Sequence, residues 1–172
     1  KEQGTTNVTD LANQVKALPT RYFSELSYEG VEGINGEAVG SKKYKKGTCS
    51  SCAFACKLPT RDEERGIETE GPEFETLMAF GGNCMIDDIV EIMRANDCCN
   101  RLGMDTISCG NAVAAYLKAE DAFGDADLVR ETVEKIAYRE GVGDTLAEGI
   151  DRAHEGLGID NWTVKGLEFP AH

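Results

Sequence analysis

Cys49-Ser-Ser-Cys52-Ala-Phe-Ala-Cys56 places three thiols at C-x2-C-x3-C spacing, directly before Lys57-Leu58-Pro59. One short loop with this spacing can wrap three sulfurs around one corner of an iron–sulfur cluster, leaving a further ligand to come from elsewhere. Two familiar patterns do not fit. The four-cysteine run C-x2-C-x2-C-x3-C-P needs another Cys, and C-x3-C-x2-C has its intervals reversed. A tetrahedral zinc site needs a second ligand pair at C-x2-C or H-x3-H spacing, and the chain has neither. From the residues alone a cluster, a zinc ion and incidental or disulfide cysteines all stay open, with the cluster favoured.

A chain of 172 residues with 41% hydrophobic content can bury a core as one soluble domain. Its net charge of −13 argues against a nucleic-acid or membrane-surface binder, because such surfaces oppose phosphate with positive charge. Small molecules and proteins are the expected partners. Seven cysteines without a signal peptide or a long apolar run point to a reducing, cytoplasmic setting where thiols serve metal or redox chemistry. The chain starts at Lys1 without Met and stops at His172, as a fragment of a larger protein would.

Helical periodicity dominates the rest. Thr9-Asp10 can cap a short helix with Leu11, Val15 and Leu18 on one face, stopping at Pro19. Residues 20–60, rich in glycine and tyrosine, read as an irregular region holding the cysteine loop. Within it Lys42-Lys43-Tyr44-Lys45-Lys46 is the basic cluster of an acidic chain, either a solvated face or a docking patch for an acidic electron carrier. Arg61 to Gly71 reads as an exposed charged connection. A helical core is expected over 72–158. Gly71-Pro72-Glu73-Phe74-Glu75 opens its first helix, Asp87 to Leu102 its second with Gly103 as C-cap, and Asp105 to about Glu120 its third. Residues 125–139 and Thr145 to Leu157 follow as helices, and Thr163 to Pro170 reads as extended chain. The fold class is all-α, multihelical with irregular glycine-rich connections, as a single helical domain over 1–172.

Six segments together resemble one family. They are Leu18-Pro19-Thr20-Arg21-Tyr22-Phe23, the cysteine run, Gly71-Pro72-Glu73-Phe74-Glu75-Thr76, Cys98-Cys99-Asn100-Arg101-Leu102-Gly103-Met104-Asp105-Thr106-Ile107-Ser108, Ile136-Ala137-Tyr138-Arg139-Glu140-Gly141-Val142-Gly143-Asp144, and Val164-Lys165-Gly166-Leu167-Glu168-Phe169-Pro170-Ala171. In this order they are similar to the tungsten or molybdenum pterin enzymes of the aldehyde ferredoxin oxidoreductase family. The resemblance covers nearly the whole chain and implies the cluster-carrying helical part of that fold, without the β-rich base that holds much of the pterin. It implies that Cys49, Cys52 and Cys56 are three ligands of a [4Fe-4S] cluster whose fourth cysteine lies outside this chain. Cys84, Cys98, Cys99 and Cys109 are poor substitutes, because adjacent helical residues point apart and buried structural cysteines are common. Asn100, Gly103, Met104 and Asp105 resemble a D-x-x-G-L-(C/D) pterin-binding loop, with Asn for the first Asp and Met for Leu. On residue type alone the same segment is a helix C-cap followed by an N-cap. Glu75 matches a family glutamate near the metal centre, a proton acceptor or water-orienting group. By itself it is an acid favoured at a helix N-terminus.

The resemblance implies a parent that oxidises aldehydes to carboxylates at a tungsten (or molybdenum) bis-pterin centre and passes electrons through the [4Fe-4S] cluster to ferredoxin. A reductive relative such as an acyl-CoA ring-reducing subunit is the alternative within the family. A non-catalytic helical module binding zinc or a cluster is the alternative outside it. The 172 residues alone are expected to be inactive and to hold a cluster poorly.

Overall fold

The computed structural model describes residues 2–171. Among them a 3-10 turn leads into α1 (Thr9–Gln14), and another precedes α2 (Gly36–Lys42). A hairpin of β1 (Thr60–Asp62) and β2 (Ile67–Thr69) comes next, then α3 (Phe74–Thr76), which widens into a π-helical turn, Leu77–Gly82. The long helices are α4 (Ile89–Leu102), α5 (Thr106–Ala119) and α6 (Ala126–Tyr138), and α7 (Val142–Leu146) and α8 (Ile150–Leu157) are shorter. A second hairpin, β3 (Thr163–Val164) and β4 (Leu167–Glu168), closes the chain.

The three long helices begin alike. Asp88 accepts from Val90 N–H at 2.9 Å, Asp105 from Ser108 N–H at 2.7 Å and Asp125 from Leu128 N–H at 2.9 Å. Each carboxylate satisfies an amide that has no partner inside its helix and opposes the positive end of the dipole. Gly103 stops α4 with φ 74°, a left-handed conformation that costs glycine little. Helix α5 lies against the π-helical turn through small residues. A Cβ on Gly110 would stand 2.6 Å from Ala79 Cβ, so this approach requires glycine. Leu77, Met78, Phe80, Ile92, Met93, Val113, Leu117 and Val133 are buried around that contact.

The multihelical architecture agrees with the periodicity, and several local expectations need correction. Arg61 to Gly71 is a paired hairpin, with Thr60, Asp62, Ile67 and Thr69 buried and Arg61 and Glu68 exposed. Three-residue strands are too short for this alternation to stand out in the sequence. The region expected to be irregular contains α2, started by Asn35, whose side chain accepts from Glu37 and Ala38 N–H at 3.0 Å each. Thr145 to Leu157 is not continuous: α7 and α8 are separated at Gly149, φ 84°. Helix α1 ends at Gln14, before Leu18, and turns Leu11 and Val15 to the surface, 58% and 62% exposed. No helix of the described residues is long and apolar enough to cross a membrane.

Candidate functional site

The cysteine loop is closed at its base by backbone pairing. Tyr44 N–H donates to the Pro59 carbonyl at 3.2 Å and Gly47 N–H to the Lys57 carbonyl at 3.1 Å. Beyond this neck Cys49 and Cys52 are exposed and Cys56 is half-buried. Inside the loop Cys52 N–H donates to Cys49 O at 3.1 Å, and Thr48 Oγ1 donates to Cys52 O at 3.0 Å. Phe54 N–H points at Cys52 Sγ, 3.4 Å away, the kind of donor that supports a metal-bound thiolate. Among the described residues no three Cys, His, Asp or Glu side chains converge as a metal-binding group. By residue type and spacing the three thiols are donors that a cluster could take, and binding would have to draw the sulfurs together.

The remaining thiols belong to the core. Cys84 and Cys109 are buried, and Cys84 Sγ donates to the Ala79 carbonyl at 3.3 Å. Burial pushes the Cys84 thiol far up, and a thiol hydrogen bond with Cys99 together with burial raises that of Cys109, so both stay protonated. Cys99 is buried with them, and burial also raises Cys98.

Glu75 sits on α3 with Oε2 accepting from Ala171 N–H at 2.8 Å. It lines a hollow of about 720 Å³ with Cys56, Phe74, Val8, Leu11 and Val15. The apolar face of α1 and the last cysteine of the loop thus share a cavity with the candidate acid. The adjacent Thr76 Oγ1 lies 2.9 Å from Thr106 Oγ1, tying α3 to the start of α5 beside Asp105. The structure therefore brings two sequence-predicted features, Glu75 and the Asn100–Asp105 turn, to either side of one hydroxyl–hydroxyl bond.

That turn has the capping geometry expected from residue type. Gly103 and Met104 N–H both point to the Cys99 carbonyl, the latter at 2.9 Å, while Asp105 caps α5. Asn100, Gly103 and Asp105 are exposed and Met104 is half-buried. A Cβ at Gly103 would meet nothing within 4 Å, so the backbone is open to approach there. Met104, Asp105 and Ser108 also line a second cavity, of about 440 Å³, with Arg139, Glu148 and Glu168. Open backbone, an acidic acceptor and a neighbouring cavity fit the edge of a polar heterocycle such as a pterin.

Sequence reasoning missed the amide chain that fixes this region. Phe23 N–H donates to Asn83 Oδ1 at 3.2 Å, Asn83 Nδ2 to Asn111 Oδ1 at 2.9 Å, and Asn111 Nδ2 to the Phe169 carbonyl at 2.9 Å. Asn83 and Asn111 are buried. The chain holds the final strand so that Ala171 can reach Glu75. The available signal was Asn111 inside the otherwise small and apolar run Cys109-Gly-Asn-Ala-Val-Ala-Ala. Glu168, also buried, accepts from Ile150 N–H at 2.9 Å and starts α8, whose own N-cap Gly149 has no side chain to do so.

Residues 1–172 match the family model described as aldehyde ferredoxin oxidoreductase, domains 2 & 3. The chain is 36% identical over 191 residues to the tungsten-containing aldehyde ferredoxin oxidoreductase of Thermococcus kodakarensis, covering 98% of this chain and 31% of that protein. To the enzyme of the same name from Pyrococcus furiosus it is 35% identical over 187 residues, with the same coverage. It thus spans about a third of the length of these relatives. A solved structure of the active site complex BamBC of benzoyl coenzyme A reductase, in complex with 1,5-dienoyl-CoA, superposes with a TM-score of 0.67 at 16% identity. That match covers 98% of this chain and 29% of the other, and shows a shared helical fold. On the strength of the full-length family match, the chain belongs to the aldehyde ferredoxin oxidoreductase family.

Proposed function

We propose that this chain is the cluster-carrying part of a tungsten pterin enzyme that oxidises aldehydes to carboxylates and delivers the electrons to ferredoxin. The observation that carries the reading is the shared hollow: Cys56 of the thiol loop and the oriented carboxylate of Glu75 line one apolar cavity. Cys49, Cys52 and Cys56 would hold three corners of a [4Fe-4S] cluster, with a fourth ligand from the remainder of the parent. Gly103 and Asp105, with Asn100 and Met104 beside them, would meet one edge of the pterin. When bound, the tungsten centre supplies the two-electron chemistry.

Converting an aldehyde and water into a carboxylate releases two electrons and three protons, so a proton acceptor near the reacting atoms is required. Glu75 meets that need. Ala171 N–H fixes its carboxylate, and Val8, Leu11, Val15 and Phe74 provide apolar walls. Thr76 and Thr106 hold its helix against the turn that carries Asp105. The ring-reducing alternative rests on a likeness of fold, whereas the aldehyde reading rests on sequence identity over the same residues.

The test uses the full-length parent, purified without oxygen. Iron with labile sulfide, and aldehyde-dependent reduction of a viologen dye, are expected. Glu75→Gln should lower kcat by about 10²–10⁴-fold with iron content retained. Zinc in place of iron sinks the cluster reading, and reduction of an aromatic acyl-CoA without aldehyde oxidation favours the reductive alternative. Turnover by the 172 residues alone would overturn the requirement for the rest of the parent.

A further inference from the structure

The neck of the cysteine loop carries more positive charge than its ion pairs cancel. Lys42 is joined to Asp62 at 2.6 Å, Lys57 to Glu70 at 2.5 Å and Arg61 to Glu68 at 2.9 Å. Lys42, at the end of α2, thus serves the β1–β2 hairpin and leaves the basic cluster seen in the sequence. Lys43 Nζ donates to the Glu2 carbonyl at 2.7 Å, a contact that leaves its charge uncancelled. Lys45 lies over the Tyr44 ring at 5.0 Å, and neither Lys45 nor Lys46 forms an ion pair among the described residues. Three lysines without an ion pair among the described residues therefore flank the base of the loop on a chain of net charge −13, with Lys45 close enough to Glu68 to help hold its carboxyl below the ordinary value. Within the loop itself Phe54 is 71% exposed, and at the base Tyr44 is exposed between Lys45 and Arg61, the latter 4.5 Å from its ring.

We infer that Lys43, Lys45 and Lys46, with Phe54 and Tyr44, form the docking surface for a small acidic electron-carrier protein. The inference rests on reading Cys49, Cys52 and Cys56 as cluster ligands. Exposed aromatics on a loop whose base carries lysines supply the two parts of a transient interface, apolar contact and complementary charge. The net charge of −13 repels an acidic partner overall, and the lysines at the neck offset that repulsion locally, next to the thiols. Across about 8 Å of screening at physiological salt, only charges this close to the landing point act strongly. Three lysines are too few for a nucleic acid, whose binding usually neutralises about 6–10 phosphates. Held by Cys49, Cys52 and Cys56, a cluster would supply outer-sphere exchange of single electrons, its oxidation balancing reduction of the carrier with no bond made or broken.

The experiment uses the full-length parent and a purified acidic ferredoxin, with a small uncharged quinone as a second acceptor. Lys43→Glu/Lys45→Glu/Lys46→Glu should lower the ratio of ferredoxin to quinone reduction rates at low ionic strength by about tenfold or more, and flatten its salt dependence. Phe54→Ala should raise the apparent KM for ferredoxin about fivefold or more at any salt, as loss of an interface anchor costs over 1 kcal/mol. The double variant Lys42→Gln/Asp62→Asn, which removes a cancelling pair of charges together, should leave the ratio as in the wild type. With iron content intact, a triple variant whose ratio and salt dependence match the wild type overturns the docking surface alone. Zinc instead of iron in the wild type overturns the cluster reading, and the docking inference with it.

Discussion

The cysteine loop and the junction of α3 with α5 solve opposite problems. The loop concentrates three thiols in largely exposed chain, where among the described residues they do not converge. The junction has one acid and two threonines of ordinary chemistry, but its geometry is fixed from several sides: Thr76–Thr106, Ala171 N–H on Glu75, and the Asn83–Asn111–Phe169 chain. A ligand-organised site needs little from its surroundings beyond donors at the right spacing. A site that must orient a proton acceptor needs a rigid wall. Substitutions in the two regions should therefore differ sharply in their cost to the fold.

The same residue type in both places gives the widest contrast. Phe80 is fully buried in the π-helical turn, whereas Phe54 stands on the loop. Phe80→Ala should cost about 3–5 kcal/mol of stability, from lost burial and the cavity left behind. Phe54→Ala should stay within about 0.5 kcal/mol. Chemical unfolding followed by far-UV circular dichroism measures both, and a loop variant as costly as the core variant would break the contrast.

Next comes the amide chain. Asn111→Leu removes the donor to the Phe169 carbonyl and the acceptor for Asn83 in one step. Leaving those buried partners unmade should cost about 1–3 kcal/mol each. It should also loosen the strand that positions Ala171 against Glu75, so amide exchange at residues 167–171 should accelerate. Unchanged exchange there would show that strand pairing with the Glu168–Ile150 and Ala171–Glu75 bonds holds the segment without the amide chain.

The sequence shows the two regions unequally, and the reason is physical. The loop stood out because Cys49, Cys52 and Cys56 carry their candidate chemistry in residue identity and spacing, which a sequence displays directly. The long helices were legible from their periodicity and their Asp caps. The junction was not, because Thr76 and Thr106, and Asn83 and Asn111, meet only after α5 has packed onto the π-helical turn. Nothing in their local sequence marks one as the other's partner. The hairpin Thr60–Asp62/Ile67–Thr69 failed differently: its charges suggested exposure, yet Asp62 is buried because Lys42 arrives from α2.

That pair gives the smallest predicted effect, and its pH dependence tests how firmly the neck of the loop is joined to the folded body. The hydrogen bond from Lys42 comes first among the causes that hold the Asp62 carboxyl below its ordinary value, followed by the Arg65 N–H, which donates at 2.7 Å. A carboxylate depressed by folding stabilises the protein above its unfolded value of about 3.9, and that contribution is lost as pH falls through the folded value. Unfolding midpoints should therefore fall in this acid window, and Lys42→Gln should shrink the fall without removing it, since Arg65 N–H remains. The cysteine loop should follow the same titration, because Lys42 and Asp62 bracket the neck at Lys43 and Thr60. Alkylation of Cys49 and Cys52 in the metal-free protein, carried out at one fixed pH, should then differ little between the wild type and Lys42→Gln, as both thiols are already exposed. Cys56 should react faster in the variant, because it alone of the three is half-buried against the body that the ion pair helps to hold.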